Sequence, residues 1–203
     1  MEEVNHESVA RRWSPASALR FRPSTCLFAV LLFLSSYPQA QTPRPTESQV
    51  KAAYLYNFGK FVSWQSDQAA SRTGFGICIL GKDPFGAVLD STVAGESIGG
   101  RAITVERLSR IQDAAGCSEL YISPSEETRL GAILSAMQRV DVLTVSDTPN
   151  FAARGGMIGL VKQQDRIRFE VNRKVVEQHR LTLSSELLKV AARVIETGRA
   201  ENQ

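Results

Sequence analysis

"DVLTVSDTPNFAARGGMIGLVKQQDRIRFEVN", residues 141–172, decides the fold class. "DVLTVSD" is a short, nearly unbroken run of apolar and β-branched residues, the pattern of a strand buried on both faces. "TPNFAARGG" carries a proline and two glycines and reads as a short helical turn followed by a loop. From Met157 onward the pattern changes. "IGLV" and "RIRFEVN" flank Gln164 and Asp165, and the second run alternates, with Arg166, Arg168, Glu170 and Asn172 on one face and Ile167, Phe169 and Val171 on the other. The stretch is a β-hairpin with its turn at Gln164 and Asp165.

Upstream, strands alternate with helices. "FGICIL" (75–80), "RAITVERL" (101–108) and "ELYISP" (119–124) read as strands, the last stopped by Pro124. "KDPFG" leads into a short helix ending near Leu89. "SEETRLGAILSAMQRV" is a helix with Ser125 as N-cap and Leu130, Ile133, Leu134 and Met137 on one face. Earlier still, "VKAAYLYNFGKFVSW" (50–64) places Leu55, Phe58 and Val62 on one helical stripe, flanked by Tyr54 and Phe61, with Thr46 and Gln49 as a capping box. Tyr56, Asn57 and Lys60 point elsewhere on that helix. Downstream, helices are expected from Arg173 to His179 and from Ser184 to about Thr197, the latter burying Leu187, Leu188, Ala191 and Ile195. The sum is a single α/β domain: a mostly parallel sheet with an antiparallel hairpin edge, flanked by helices.

With 203 residues the chain suits one domain, and its net charge of +3, without basic clusters interleaved with aromatics, gives no footprint for nucleic acid. Its first 40 residues have the layout of a secretory signal: arginines at 11, 12, 20 and 22, an apolar run "TCLFAVLLFLSSY", then "PQA" as a processing site. An uncleaved anchor is the alternative, because the basic region is long and Pro38 suits a cleavage site poorly. The expected organisation is a leader over 1–40, a linker over 41–46, the domain over 47–197 and a polar tail over 198–203. Export leaves Cys78 and Cys117 as an even pair in an oxidising compartment, which favours a structural disulfide. A metal site or a nucleophile would want further ligands or a base nearby.

Catalytic patterns are missing. The sequence has no G-x-S-x-G elbow, H-E-x-x-H helix or C-x-x-C pair, and "AGESIGG" lacks the order of a phosphate loop. His179 alone builds neither a triad nor a multi-histidine site. Glu126 and Glu127 suit the first turn of a helix, while Asp83, Asp141, Asp147 and Glu170 are scattered, so a two-carboxylate site stays open. No enzyme activity, metal or cofactor is expected. The arrangement that stands out is the polar face of "RIRFEVN", read either as a solvated face with cross-strand ion pairs or as a binding face beside "ARGGMIGL", where Gly155 and Gly156 let the backbone approach another molecule.

"VKAAYLYNFGKFVSW", "ICILGKDPFG", the Cys78 and Cys117 pair, "VLTVSD", "FAARGGMIGLV", "IRFEVN" and "LTLSSELLKVA" stand in the order and spacing of the YfiR-like periplasmic proteins, and the chain resembles them over residues 47 to about 195. The resemblance implies an α/β repressor that inhibits an inner-membrane diguanylate cyclase, or another membrane sensor, through its periplasmic region, lowering cyclic-di-GMP and biofilm. It also implies a homodimer, and release by capture on an outer-membrane lipoprotein or by redox stress. Cys78 and Cys117 match the family's disulfide positions, and Glu170 matches a position linked to control of repression. A second disulfide of some relatives has no cysteines here. Arg168, Glu170 and Asn172, with Tyr56 and Lys60, are thus the expected partner-binding residues. The alternative is a protein that binds a small molecule or peptidoglycan fragment and feeds a histidine kinase or receptor.

Overall fold

The computed structural model describes residues 44–65 and 73–196; the expected leader and polar tail lie outside them. Helix α1 (Glu47–Phe61) starts at the expected capping box: the Thr46 hydroxyl accepts from the Gln49 amide, and the Gln49 side chain accepts from the Thr46 amide. Ala52, Leu55 and Phe58 are fully buried, so the stripe is core. The helix ends sooner than expected. Val62 is extended, and β1 (Val62–Trp64) follows without a loop, which turns Phe61 outward at 40% exposure.

The chain then runs through β2 (Phe75–Leu80), α2 (Ala87–Val93), β3 (Ser97–Ile98), β4 (Arg101–Leu108) and β5 (Glu119–Ile122). A 3₁₀ turn over Pro124–Arg129 precedes α3 (Leu130–Met137). Here the cap is Ser123, not Ser125, because Pro124 already occupies the first helical position. After β6 (Leu143–Ser146), β7 (Ile158–Gln163) and β8 (Arg166–Asn172) form the expected hairpin. Gln164 and Asp165 both have positive φ, the two-residue turn whose twist matches that of the flanking strands. α4 (Arg173–Gln178), β9 (Leu181–Leu183), α5 (Ser185–Val190) and β10 (Arg193–Ile195) complete the described residues.

The main sheet has eight strands in the order β10-β8-β7-β6-β5-β2-β4-β3. Pairing is parallel from β4 to β7 and between β8 and β10, and antiparallel at β7–β8 and β3–β4. The mostly parallel α/β sheet with its hairpin is therefore present, and one more strand lies outside the hairpin. That strand corrects the expected long last helix. Ala191 is extended, and the β-branched Val194 and Ile195 pair with β8 instead of continuing a helical face. β9 pairs antiparallel with β1 in a separate two-stranded ribbon.

The sheet is covered on both faces. On one lie Ile77, Tyr121, Val145, Ile158 and Phe169 with α1 and α2; on the other lie Leu80, Leu120 and Ile122 with α3 and Phe151. Cys78 and Cys117, the latter just before β5, form a disulfide within the second layer, with Cα atoms 6.0 Å apart.

Candidate functional site

In a sheet of this order the ligand crevice normally opens at the carboxyl ends of the strands, where the chain reverses direction between β2 and β5. In this chain, hydrogen bonds link the two sides of that point. The Ser123 amide donates to the Leu80 carbonyl at 3.0 Å, and the Lys82 amide donates to the Ser125 hydroxyl at 2.9 Å. Beside it, Arg107 holds Asp83 at 3.1 Å and also bonds Asp90.

At the same end of the sheet, Asp147 follows β6 and accepts from the Lys51 ammonium and the Tyr121 hydroxyl, while Glu47 pairs with Lys51 at 2.6 Å. The Lys51 side chain is only 9% exposed. Burial works against its charge, but the hydrogen bonds and charges of Asp147 and Glu47 prevail and raise its pKa. Burial, then the bond to Asp147, pushes the Tyr121 phenol far up. Both groups stay protonated at neutral pH, and neither is a base or a nucleophile. The cluster fastens the first turns of α1 to the sheet. Asp147→Ala leaves the buried ammonium with Glu47 alone, and urea unfolding should show a loss of about 3 kcal/mol, the low end for a broken buried pair.

The polar face of β8 divides. Arg166 and Arg168 are exposed, and Arg168 Nη2 donates to the Val190 carbonyl at 3.3 Å. Glu170 is covered: Arg193 lies opposite it in register on β10 and bonds its carboxylate at 2.9 Å, leaving the Glu170 side chain 13% exposed. Asn172 does not belong to an exposed face. It is 4% exposed and caps α4, its Oδ1 accepting from the Val175 amide and its Nδ2 donating to the Ala152 carbonyl at 2.8 Å. Gly156 does not open the backbone to another molecule either, because a Cβ there would overlap the Phe151 ring. Tyr56 and Lys60 join a different group, in which the Tyr56 hydroxyl bonds Glu96 and Lys60 Nζ sits 4.6 Å from the Tyr56 ring centre.

Two hollows remain. A groove of about 650 Å³ runs between the start of α1 and the hairpin tip, with Arg44, Lys162 and Arg166 set against Glu47 and Asp165. A cleft of about 380 Å³ lies between α3, the 154–157 loop and the end of α4, where Arg154 and His179 meet Leu134, Met157 and Val175. His179 is buried and its Nδ1 bonds the Val175 carbonyl at 2.8 Å. Among the described residues no group of three or more His, Cys, Asp or Glu side chains is placed to hold a metal ion, and no helix is long and apolar enough to cross a membrane.

A family model described as YfiR/HmsC-like matches residues 48–192. No curated protein matches the chain. Among solved structures it is similar to an ABC domain in complex with L-Trp from Streptococcus pneumonia, at 11% identity and a TM-score of 0.48, covering 73% of this chain and 60% of that one. It is also similar to a conserved domain protein from Vibrio cholerae, at 9% identity and a TM-score of 0.49, covering 73% of this chain and 60% of that one. The chain thus spans about 60% of the length of both structures. The family match takes in everything from the first turn of α1 to the residue before β10, and the chain belongs to the YfiR/HmsC-like family.

Proposed function

We propose that the protein, exported behind a cleavable leader, represses an inner-membrane diguanylate cyclase or a related sensor by binding its periplasmic region, lowering cyclic-di-GMP and biofilm formation. The observation that carries this reading is the pair of exposed arginines, Arg166 and Arg168, on a strand whose opposite face is core. Arg166 continues into the groove with Arg44 and Lys162, so the surface suits an acidic partner segment. Glu170 and Arg193 hold β10 beside that surface, which gives Glu170 an indirect part in shaping it. Tyr56 and Lys60 form a second contact region, a homodimer is the working state, and capture by an outer-membrane lipoprotein releases the partner.

Charge reversal separates contact from folding. Exposed sites tolerate substitution within about 0.5 kcal/mol, whereas like charges placed across an interface cost several kcal/mol of binding. Arg166→Glu with Arg168→Glu should leave the melting temperature nearly unchanged and raise cellular cyclic-di-GMP toward the level of a gene deletion. Unchanged cyclic-di-GMP in both the variant and the deletion would remove the cyclase reading. Glu170→Lys is a less clean probe than its neighbours, because the new ammonium would face Arg193 and disturb β10 as well.

A second reading draws on the cleft at Arg154 and His179, whose volume falls in the range of small-molecule sites. There the protein would bind a small molecule or peptidoglycan fragment and inform a histidine kinase or receptor. Ligand-dependent melting with wild-type cyclic-di-GMP in the deletion strain would favour it.

A further inference from the structure

Glu119 opens β5 in the middle of the main sheet, with Ile77 of β2 opposite it on one side and Leu143 of β6 on the other. It is 0% exposed, and neither carboxyl oxygen has a hydrogen-bond partner. The backbone around it is pinned. The Ser118 amide donates to the Gly76 carbonyl at 2.8 Å, the Leu143 amide donates to the Ser118 carbonyl at 3.0 Å, and Cys117 is tied to Cys78. The strand is therefore held in place, and the carboxyl reaches water only if the layer packed over this face of the sheet loosens.

Glu119 leaves the strand on the same face as Tyr121, toward the layer built from α1, β1, α2, α4, β9 and α5. The apolar side chains there include Leu55, Phe58, Val176 and Leu181. The titratable groups of these elements are engaged elsewhere or exposed. Tyr121 and Lys51 bond Asp147, and Glu47 bonds Lys51. Tyr54 donates to the Ile167 carbonyl, and Tyr56 and Lys60 engage Glu96 and each other. His179, just after α4, bonds Val175; on α4 Arg173 pairs with Glu177 and Lys174 is exposed; Asp90 of α2 bonds Arg107, Glu186 and Lys189 of α5 are exposed, and β1 and β9 carry no charge. Burial alone raises the pKa of Glu119 well above the ordinary value, with no charge or hydrogen bond to offset it.

We propose that Glu119 is a proton-linked switch in the fold: the closed core accepts it only as a neutral carboxylic acid, and ionisation favours opening of the packing over the start of β5. The sign follows from linkage. A carboxyl whose pKa is higher folded than unfolded leaves stability untouched below the unfolded value, here 4.5, and drains it as pH rises above that value toward the folded one. Within that window the folding equilibrium constant falls up to tenfold per pH unit. Asp90, lowered by its bond to Arg107, and Glu186, lowered by its own backbone, act on the opposite side, losing their contribution only as pH falls through the carboxylate range. The contribution of Glu119 itself therefore favours the folded state toward the acid end of that window. It does not depend on which partner the protein binds.

The test compares urea stability of the exported protein with that of Glu119→Gln and Glu119→Leu between pH 4.5 and 8.5. Wild type should lose up to tenfold in folding constant per pH unit relative to both variants, and the three pH slopes should become equal near pH 4.5. Equal pH slopes across that range overturn the proposal. A carbon-detected carboxyl titration of the folded wild type decides the matter even if neither variant folds. A Glu119 midpoint above about pH 6, or no titration before unfolding, supports the switch, and a midpoint in the ordinary glutamate range overturns it.

Discussion

Replacing Cys78 and Cys117 together by alanine should cost about 4 kcal/mol of folding stability. The two residues are 39 apart in sequence, and a cross-link closing a loop of that size removes close to that much free energy from the unfolded chain on the entropic account. The bond has nothing to share the task with, because the chain's third cysteine, Cys26, lies in the expected leader. Urea unfolding checks the prediction: the midpoint should fall while the slope rises, since an uncrosslinked chain exposes more surface. An unchanged midpoint would show that the bond closes no costly loop. Because both sulfur-bearing residues are buried, reductant should act on wild type only as fast as the structure around them opens.

Phe169→Ala should cost about 3–5 kcal/mol, the range for losing a large aromatic from a packed core. Phe169 is 1% exposed, and its ring stands edge-on to Phe58 at 5.1 Å and to Tyr54 at 5.5 Å. It is therefore the side chain of β8 that holds α1 against the hairpin. Truncating Phe58 in the same protein should add less than its own separate cost, since neighbours in contact couple by about 0.5–3 kcal/mol. Full additivity in the double variant would mean the rings pack independently. The contrast with the arginine reversals is one of face: Arg168 is one residue away and points to the other side of the strand.

Where the sequence was legible, a local rule was enough. Thr46 and Gln49 announce the start of α1 because both halves of the cap lie within one turn, and Gln164–Asp165 announce the hairpin because alternation on both sides leaves them nowhere else to be. Where it was not, the deciding partner is distant in sequence. β9 and β10 are three residues each, too short for any period, and "ARVIE" follows an apolar helical stripe closely enough to be read as its continuation. Asn172 extends the polar alternation of β8 in sequence, yet its amide is spent on a cap and on Ala152, 20 residues away. Lys51 meets Asp147 across 96 residues, so the scattered carboxylate becomes a structural anchor only once the sheet exists. Glu119 reads as an ordinary strand start; nothing local shows that β2 and β6 flank it and that the core layer covers its side chain.

The ribbon of β1 with β9 has a consequence for the order in which the molecule is made. A chain that emerges N-terminus first presents α1 and β1 early, but Phe169 and Leu181–Leu183, against which they pack, arrive more than a hundred residues later. Until then the aromatic face of α1 has no permanent home. Contacts this far apart are slow to close, and an exposed apolar helix in the interim is what holding chaperones bind. The first of the described elements to be synthesised is among the last to be sealed.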